Sequence, residues 1–160
     1  TINPDYLLVD TPGQMELFAY RQSGPFFIQN FEAEEKMNLF LYDGTMISSA
    51  SNFVSLTLLS TSIRLRLGLP TVNVITKTDL IQERLEKVLS WSGTDSELET
   101  DLASELNGET FALVSDMLTS LNKNDFQQDL IPISNATGDG MVSLESALSR
   151  TINLGEEVED

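Results

Sequence analysis

Apolar residues follow two patterns along the chain: short uninterrupted runs, and longer segments in which they recur every three or four positions. The runs are typical of buried strands, and the periodic segments are typical of amphipathic helices. Four runs stand out, at residues 6–9, 37–42, 71–75 and 130–133. Because periodic segments separate the runs, their order predicts an α/β fold with a parallel sheet.

Start and stop signals set the helix boundaries. A long helix is expected from Ser48 or Ser49 as its N-cap to Leu67, where Gly68 and Pro70 end it. Its apolar residues form two stripes, the second of which includes Leu65. We therefore expect this helix to pack on the sheet and on something else, such as a partner subunit. Shorter helices are predicted over residues 15–20, 25–31 (with Ser23 a candidate N-cap), 80–91, 97–106, 110–121 and 141–154.

The connections organise these elements into one domain. Asp43-Gly44 ends the second strand, and Pro132 predicts that the fourth strand lies at an edge of the sheet or ends early. The helices at about residues 80–125 form an insertion between the third and fourth strands, longer than one crossover needs. We expect a domain over residues 1–154, followed by an acidic tail at 155–160.

The composition excludes several kinds of chemistry. The 160 residues include no cysteine and no histidine, which removes disulfides and Ser-His or Cys-His catalytic pairs and argues against a zinc site. A net charge of −16 argues against direct binding of nucleic acid. A phosphate ligand would therefore need Mg²⁺ and backbone N–H groups. Without a membrane-length apolar run or a signal peptide pattern, the expected location is cytoplasmic.

Candidate chemistry begins directly after the first run, at Asp10-Thr11-Pro12-Gly13-Gln14. In an open parallel sheet, ligands bind at the carboxyl ends of the strands. There Asp10 could hold Mg²⁺, the N–H of Gly13 could approach a phosphate, and the amide of Gln14 could orient a water molecule. The alternative is structural: Asp10 caps the next helix, and Pro-Gly is only a turn.

This string resembles the Walker B and switch II segment of GTPases, in which Asp-x-x-Gly-Gln follows a buried strand. The longer wording Asp-Tyr-x-Leu-Val-Asp-Thr-Pro-Gly-Gln-Met-Glu, from Asp5 to Glu16, resembles the GPN-loop GTPases in particular. That family is a dimeric branch of the P-loop NTPases. The resemblance implies that Asp10 is a metal ligand and that Gly13 and Gln14 are catalytic.

Thr76-Lys77-Thr78-Asp79 follows the third run and resembles the Asn-Lys-x-Asp guanine motif, with Thr76 in place of Asn. A carboxylate at Asp79 would accept two hydrogen bonds from guanine, which adenine does not offer. Lys77 would lay its alkyl stem along the base. Alternatively, Asp79 is simply the N-cap of the helix that begins at Leu80.

Ser134-Asn135-Ala136 follows the fourth run, where these GTPases have a Ser-Ala-x loop whose backbone N–H contacts guanine O6. Asn135 replaces the usual Ala, and the Thr-Gly-Asp-Gly that follows also resembles the family. The alternative is a glycine-rich loop before a helix, which is common. The resemblance makes Thr76, Lys77, Asp79 and residues 134–136 nucleotide-binding.

The resemblance implies a P-loop NTPase-like architecture, in which helices cover both faces of a parallel sheet in three layers. It also implies GTP or GDP with Mg²⁺, a homodimer, and a link to the assembly of RNA polymerase and other large complexes. Neither a Gly-x-x-x-x-Gly-Lys-Ser/Thr motif nor Gly-Pro-Asn occurs in these 160 residues, and in the family both precede the switch II segment. We therefore expect the family's N-terminal part to be missing here and the 160 residues alone to lack GTPase activity.

Two other functions are consistent with the motifs. One is a non-catalytic interaction or dimerisation module derived from a GTPase. The other is an ATPase of the P-loop class, which Asp79 disfavours.

The missing part has a consequence for the sheet. In P-loop folds, the strand before the phosphate loop would lie between the strands at 6–9 and 37–42. Without it, both strands would expose unpaired backbone groups. They could pair directly, another chain could fill the slot, or the gap could stay open. We expect direct pairing.

Overall fold

Three parallel strands form the sheet of the computed structural model, which describes residues 6–11, 13–93, 97–122 and 130–156. They are β1 (Asn38–Asp43), β2 (Thr71–Thr76) and β3 (Leu130–Pro132), in the order β1-β2-β3. The register pairs Asp43 with Thr76, so β1 and β2 end side by side. As Pro132 indicated, β3 lies at an edge.

Seven helices surround the sheet in the described residues. They are α1 (Met15–Tyr20), α2 (Ser23–Asn30), α3 (Ala50–Leu67), α4 (Gln82–Ser90), α5 (Glu97–Glu105), α6 (Gly108–Asn122) and α7 (Met141–Glu156). Two single turns of 3₁₀ helix follow the strands: the β1 turn (Gly44–Met46) and the β2 turn (Thr78–Leu80). Helices α4 to α6 lie between β2 and β3, where an insertion was expected.

The two faces of the sheet are covered by different helices. Phe40, Tyr42 and Ile75 point to one side and pack in the core that contains α3 and the inserted helices. Val72 and Val74 point to the other side and pack with Ala147 of α7. Successive side chains of a strand face opposite ways, so this alternation produces helix, sheet and helix layers. The expected three-layer α/β fold is confirmed.

Helix α3 begins and ends at the residues that the sequence indicated. Ser49 is its N-cap, with Oγ accepting a hydrogen bond from the N–H of Asn52, and Gly68 closes the helix with a φ of 67°. The predicted second stripe is partly wrong, because Leu65 is 66% exposed. A buried Ser60 lies on the sheet side instead, since its hydroxyl donates to Oδ1 of Asn73 at 2.7 Å.

The first predicted strand is wrong. Residues 6–9 form no strand, and their side chains are between 49% and 84% exposed. The expected pairing with β1 is also wrong, because β1 pairs with β2 alone among the described strands. An apolar run becomes a strand only where a neighbouring backbone supplies hydrogen-bond partners. Here the run leads into α1, which packs on α3.

Other boundaries shift by a few residues. Helix α2 begins at Ser23, which is therefore its first helical residue and not its N-cap. Helix α7 continues through Gly155 to Glu156, past the predicted end at Leu154. The rest of the predicted acidic tail, and the lead-in at residues 1–5, lie outside the described residues. Within the described part of the chain, no helix is long and apolar enough to cross a membrane.

Candidate functional site

The guanine-like motif and the serine loop meet at the carboxyl end of the sheet. The hydroxyl of Ser134, just after β3, donates to Oδ1 of Asp79 at 2.6 Å. Ser134 is only 1% exposed, so this contact is fixed inside the protein, while Asp79 stays partly accessible. The N–H of Thr78 donates to the carbonyl of Ile133 at 3.3 Å, which ties the two loops together beside the strands.

The loop after β3 is organised around the same serine. Its Oγ accepts hydrogen bonds from the N–H groups of Ala136 and Thr137, both at 3.2 Å. The Ser134 carbonyl accepts from the N–H of Gly138 at 2.9 Å. Asn135 and Ala136 are exposed at the tip. One buried side chain therefore holds both the carboxylate of Asp79 and the backbone of the loop opposite it.

Gly140 closes this loop in a conformation that favours glycine. Its φ is 79°, and a Cβ at this position would lie 1.9 Å from the carbonyl oxygen of Pro132. Any other residue would have to displace the end of β3. The close approach thus sets where the loop starts relative to the strand.

Lys77 lies on the other side of Asp79, toward β1. It is the one non-glycine residue in the described chain with a positive φ, 58°, and its Nζ donates to Oδ2 of Asp43 at 2.6 Å. The hydroxyl of Thr76 donates to the carbonyl of Tyr42 at 3.1 Å. Thr76 therefore joins the ends of β1 and β2.

Asp43 is the site residue that the sequence reasoning missed. Its Oδ1 accepts hydrogen bonds from the N–H of Thr45 at 2.9 Å and from the Thr45 hydroxyl at 2.6 Å. The hydrogen bond from Lys77, followed by those from Thr45, lowers the pKa of the Asp43 carboxyl below its ordinary value. The available signal was an acid at a strand end, but Asp43-Gly44 was interpreted only as a stop.

The β1 turn, which follows Asp43 and contains Thr45, is held from two sides. Nη2 of Arg84, on α4, donates to the carbonyls of Gly44 at 3.1 Å and Thr45 at 3.3 Å. A Cβ on Gly44 would lie 2.8 Å from both the Thr76 carbonyl oxygen and Cδ1 of Ile81. The turn therefore packs directly on the end of β2.

The structural alternative for Asp79 is wrong. Helix α4 begins at Gln82 with Ile81 at its N-cap and no side-chain cap. Asp79 lies earlier, within the β2 turn. Its carboxylate is held by Ser134 and does not close the helix.

The structure does not join the first motif to this site. Asp10, Gly13 and Gln14 are exposed, and in the described residues no hydrogen bond or ion pair connects them to the β2 turn or the β3 loop. Gln14 directly precedes α1 without a side-chain cap, so Asp10 does not cap this helix either. No group of three acids that could hold a metal ion occurs among the described residues. Asp10 is thus a single accessible carboxylate.

Comparison with known proteins identifies relatives over nearly the whole chain. A family model described as "conserved hypothetical ATP binding protein" matches residues 1–154. GPN-loop GTPase 3 of Dictyostelium discoideum is 27% identical over 97% of this chain and 56% of its own length. GPN-loop GTPase 3 of Danio rerio is 24% identical over 99% of this chain and 57% of its own length. The chain spans just over half the length of these relatives.

A solved structure supports the fold. The crystal structure of a GTPase from Pyrococcus abyssi in its apo form matches with a TM-score of 0.77 and 23% sequence identity. The match covers 92% of this chain and 58% of the other one. At this identity the likeness concerns the architecture of the sheet and its helices.

Proposed function

The chain belongs to the family of the GPN-loop GTPases, and from this premise we propose that the carboxyl end of its sheet binds the guanine base of GTP and GDP. The observation that carries the proposal is the hydrogen bond from the buried Ser134 to Asp79. It orients a carboxylate at the end of the central strand, between two loops that are fixed to each other. A ligand site needs this kind of preorganised polar group.

Asp79 supplies the specificity. Its two oxygens match the N1–H and N2–H₂ donors of guanine, and the bond from Ser134 to Oδ1 leaves further lone pairs available. Adenine presents no such pair of donors, so with adenine the carboxylate would have no partner on the base. The family description names ATP and the relatives are named as GTPases. The chemistry of Asp79 favours guanine.

The loop tip supplies the contact to guanine O6. The N–H of Ala136 already donates to Ser134, whereas within the described chain no hydrogen bond engages the N–H of Asn135. We assign O6 to this backbone donor. A backbone group does not depend on the side chain, so the replacement of the family's Ala by Asn135 leaves it in place.

Thr76 has an indirect role in this assignment. Its hydroxyl donates to the carbonyl of Tyr42, so it holds β1 against β2 directly before Lys77. We therefore assign to Thr76 no nucleotide contact equivalent to that of the Asn amide in the family's motif.

Hydrolysis is the second part of the proposal. Asp10 is one accessible carboxylate, and Mg²⁺ is commonly held by one or two carboxylates together with substrate phosphates and water. Asp10 therefore fits as a ligand of Mg²⁺, which would neutralise charge on the phosphates when bound. We assign the Gly13 N–H to a phosphate oxygen and the Gln14 amide to the attacking water. Support for these roles comes from the resemblance of the segment.

The test of base recognition is a titration of the full-length protein with fluorescent GDP and ADP. Asp79→Asn should weaken GDP binding by about 2–4 kcal/mol, the cost of removing one partner of a charged hydrogen bond, with little change for ADP. Asp116→Asn, which removes the same charge from an exposed position on α6, is the control and should bind GDP normally. Equal affinity of the unmutated protein for GDP and ADP would contradict the proposal.

A non-catalytic interaction module is the second candidate. It is favoured by the exposed apolar side chains near the first motif, of which Leu8 is 84% exposed and Phe26 is 66% exposed. Normal GDP binding without turnover in the full-length protein with Mg²⁺ would favour this candidate.

The homodimer, the cytoplasmic location and the link to assembly of large complexes remain proposals from the family resemblance.

A further inference from the structure

An ion pair with Asp43 directs the Lys77 side chain toward β1. The backbone of Lys77 lies just past the end of β2. Its Nζ donates to Oδ2 of Asp43, the last residue of β1. Adjacent strands are about 4.8 Å apart, so the alkyl stem has to cross the carboxyl edge of the sheet toward β1. Asp79 is held from the opposite side, by Ser134 after β3. The two side chains proposed to contact the base, Lys77 and Asp79, are therefore held by partners on opposite sides, Asp43 at the end of β1 and Ser134 after β3.

The anchor on the β1 side is itself supported. The two oxygens of Asp43 have different partners: Oδ1 accepts hydrogen bonds from Thr45, and Oδ2 accepts one from Lys77. The turn that presents Thr45 is in turn bound by Arg84 of α4. A chain of contacts thus runs from the inserted helix through the β1 turn to the ammonium group of Lys77.

A second ion pair in the described chain differs from the Lys77–Asp43 pair in the elements that it joins. Lys87 of α4 pairs with Asp101 of α5 at 3.1 Å, with side chains exposed to a similar degree, 56% and 24%, against 54% and 30% for Lys77 and Asp43. The Lys87 pair joins two helices of the insertion. The Lys77 pair joins the ends of two strands, next to Asp79.

We propose that Asp43 is a positioning residue of the nucleotide site, which holds the Lys77 stem in place to form one wall of the base pocket. The proposal rests on the proposed function, because it assigns a role within the same site. Asp43 acts on the base through Lys77 and does not contact it. Its loss should therefore cost affinity only while Lys77 is present.

Asp43→Asn is the sharpest variant, since it separates the two roles of the carboxylate. The amide oxygen still accepts from Thr45, which preserves the turn, and the amide NH₂ is left facing the Lys77 ammonium group, donor against donor. Asp101→Asn is the matched control: Lys87 contacts both oxygens of that carboxylate at 3.1 Å, and Trp91 Nε1 donates to Oδ2 at 2.8 Å, a bond that the amide oxygen of Asn can still accept. Both variants remove one charge from a lysine pair.

The experiment measures GDP affinity and Tm of the full-length protein in a double-mutant cycle of Asp43→Asn with Lys77→Met. Asp43→Asn should weaken GDP binding by roughly two- to fivefold, the range of an exposed ion pair, and should have no further effect in the Lys77→Met background. Asp101→Asn should leave GDP affinity unchanged. Additive losses in the cycle, or unchanged affinity of Asp43→Asn, would overturn the proposal.

Two further measurements keep the result interpretable. If Asp43→Asn unfolds at the assay temperature, Lys77→Arg replaces it: this variant keeps a cation for Asp43 and should bind GDP better than Lys77→Met, and equal losses would overturn the proposal. The unmutated protein is also compared with GDP and ADP. Absence of guanine preference there overturns the proposed function itself, whereas normal preference with an unaffected Asp43→Asn overturns only the role of Asp43.

Discussion

Two groups of residues with nucleotide-site chemistry have very different surroundings in this molecule. Around Asp79, the β2 turn and the β3 loop are fixed by a buried serine and by backbone hydrogen bonds. Around Asp10, the preceding apolar residues are exposed and unpaired with any described strand. Both groups follow apolar runs that predicted strands equally well. The pattern of residues therefore does not explain the difference.

The neighbouring strands explain the difference between the two regions. The run before Lys77 becomes β2 because β1 and β3 flank it, and its central residues Val74 and Ile75 are fully buried. The run at 6–9 has no flanking strand in the described chain. A single strand leaves its N–H and C=O groups to water and gains nothing to offset the entropy of ordering. The residues around Asp79 are therefore held by a paired strand, whereas those around Asp10 have no such support among the described residues.

Hydrogen exchange should show the largest contrast between the two regions. Amides of residues 7–10 should exchange at nearly the rate of an unfolded chain, because they are exposed and outside any helix or strand. Amides of Val74 and Ile75 in the central strand should exchange slower by on the order of a thousandfold or more, through global unfolding. Mass spectrometry of the 160-residue chain measures both. Strong protection of residues 7–10 would show that they have a strand partner after all.

Matched glycine substitutions should sharpen the comparison next. Gly140→Ala places a Cβ 1.9 Å from the carbonyl oxygen of Pro132, in a backbone conformation with φ of 79°. Because hydrogen bonds to the buried Ser134 hold this loop against the end of β3, we expect a loss of roughly 2–4 kcal/mol in unfolding free energy. Denaturant titration gives this value.

The partner variant for that test is Gly24→Ala. It creates a similar overlap, 2.1 Å from the Phe18 carbonyl oxygen, but between α1 and α2. These short helices can separate without disturbing the sheet, so the loss should be less than half as large. A loss as great as that of Gly140→Ala would mean that the N-terminal helices are as firmly held as the loop after β3.

Most of the fold follows from local signals in the sequence. The N-cap at Ser49, the glycine at Gly68 and the proline in β3 act through the backbone of a few adjacent residues, and each has its predicted effect. Pairing of residues 6–9 with β1 depends instead on two segments meeting across a long separation. Twenty-eight residues (10–37), with two helices among them, separate the two segments, so no short hairpin connection sets a register between them. No pattern within either segment contains that information.

The candidate site divides in the same way. Asp79 and Ser134 were identified from their motifs, and the structure adds that they bond to each other. Asp43 was missed because its role depends on the lysine of the next strand, 34 residues later. Strand order and register place the two together. A residue whose role depends on a neighbouring strand cannot be recognised from a motif in its own segment of the sequence.

Gln14→Ala tests whether the exposed motif is functional. We expect GTP turnover by the full-length protein with Mg²⁺ to fall by roughly ten- to a hundredfold, because the attacking water loses its orienting group. GTP affinity should stay nearly unchanged, since the proposal assigns base binding to the β2 turn and the loop after β3. Gln82→Ala, at an exposed position on α4, is the control. Affinity falling as much as turnover would contradict the separation of roles between the two regions.

The smallest expected effect concerns how the inserted helices are attached to the start of α3. Oε1 and Oε2 of Glu105, at the end of α5, accept hydrogen bonds from the N–H groups of Ala50 and Ser51, both at 2.9 Å. The carboxylate thereby caps α3. Burial alone would raise the pKa of Glu105, but the hydrogen bonds from Ser51 and Ala50 outweigh it and lower the pKa from the ordinary value of 4.5. The ionised form is therefore the one that stabilises the folded protein.

The sign of the pH dependence follows from that lowered pKa. The contribution of Glu105 is complete above the ordinary pKa of 4.5 and is lost as the pH falls through the lower pKa of the folded state. Glu105→Gln should reduce the unfolding free energy at pH 7 by less than about 1 kcal/mol, the range of an exposed helix cap, and the deficit should shrink toward zero on acidification below pH 4.5. Glu145→Gln removes the same charge from an exposed position on α7 and should show no such convergence. A deficit that is constant with pH would mean that the ionised carboxylate of Glu105 does not cap α3.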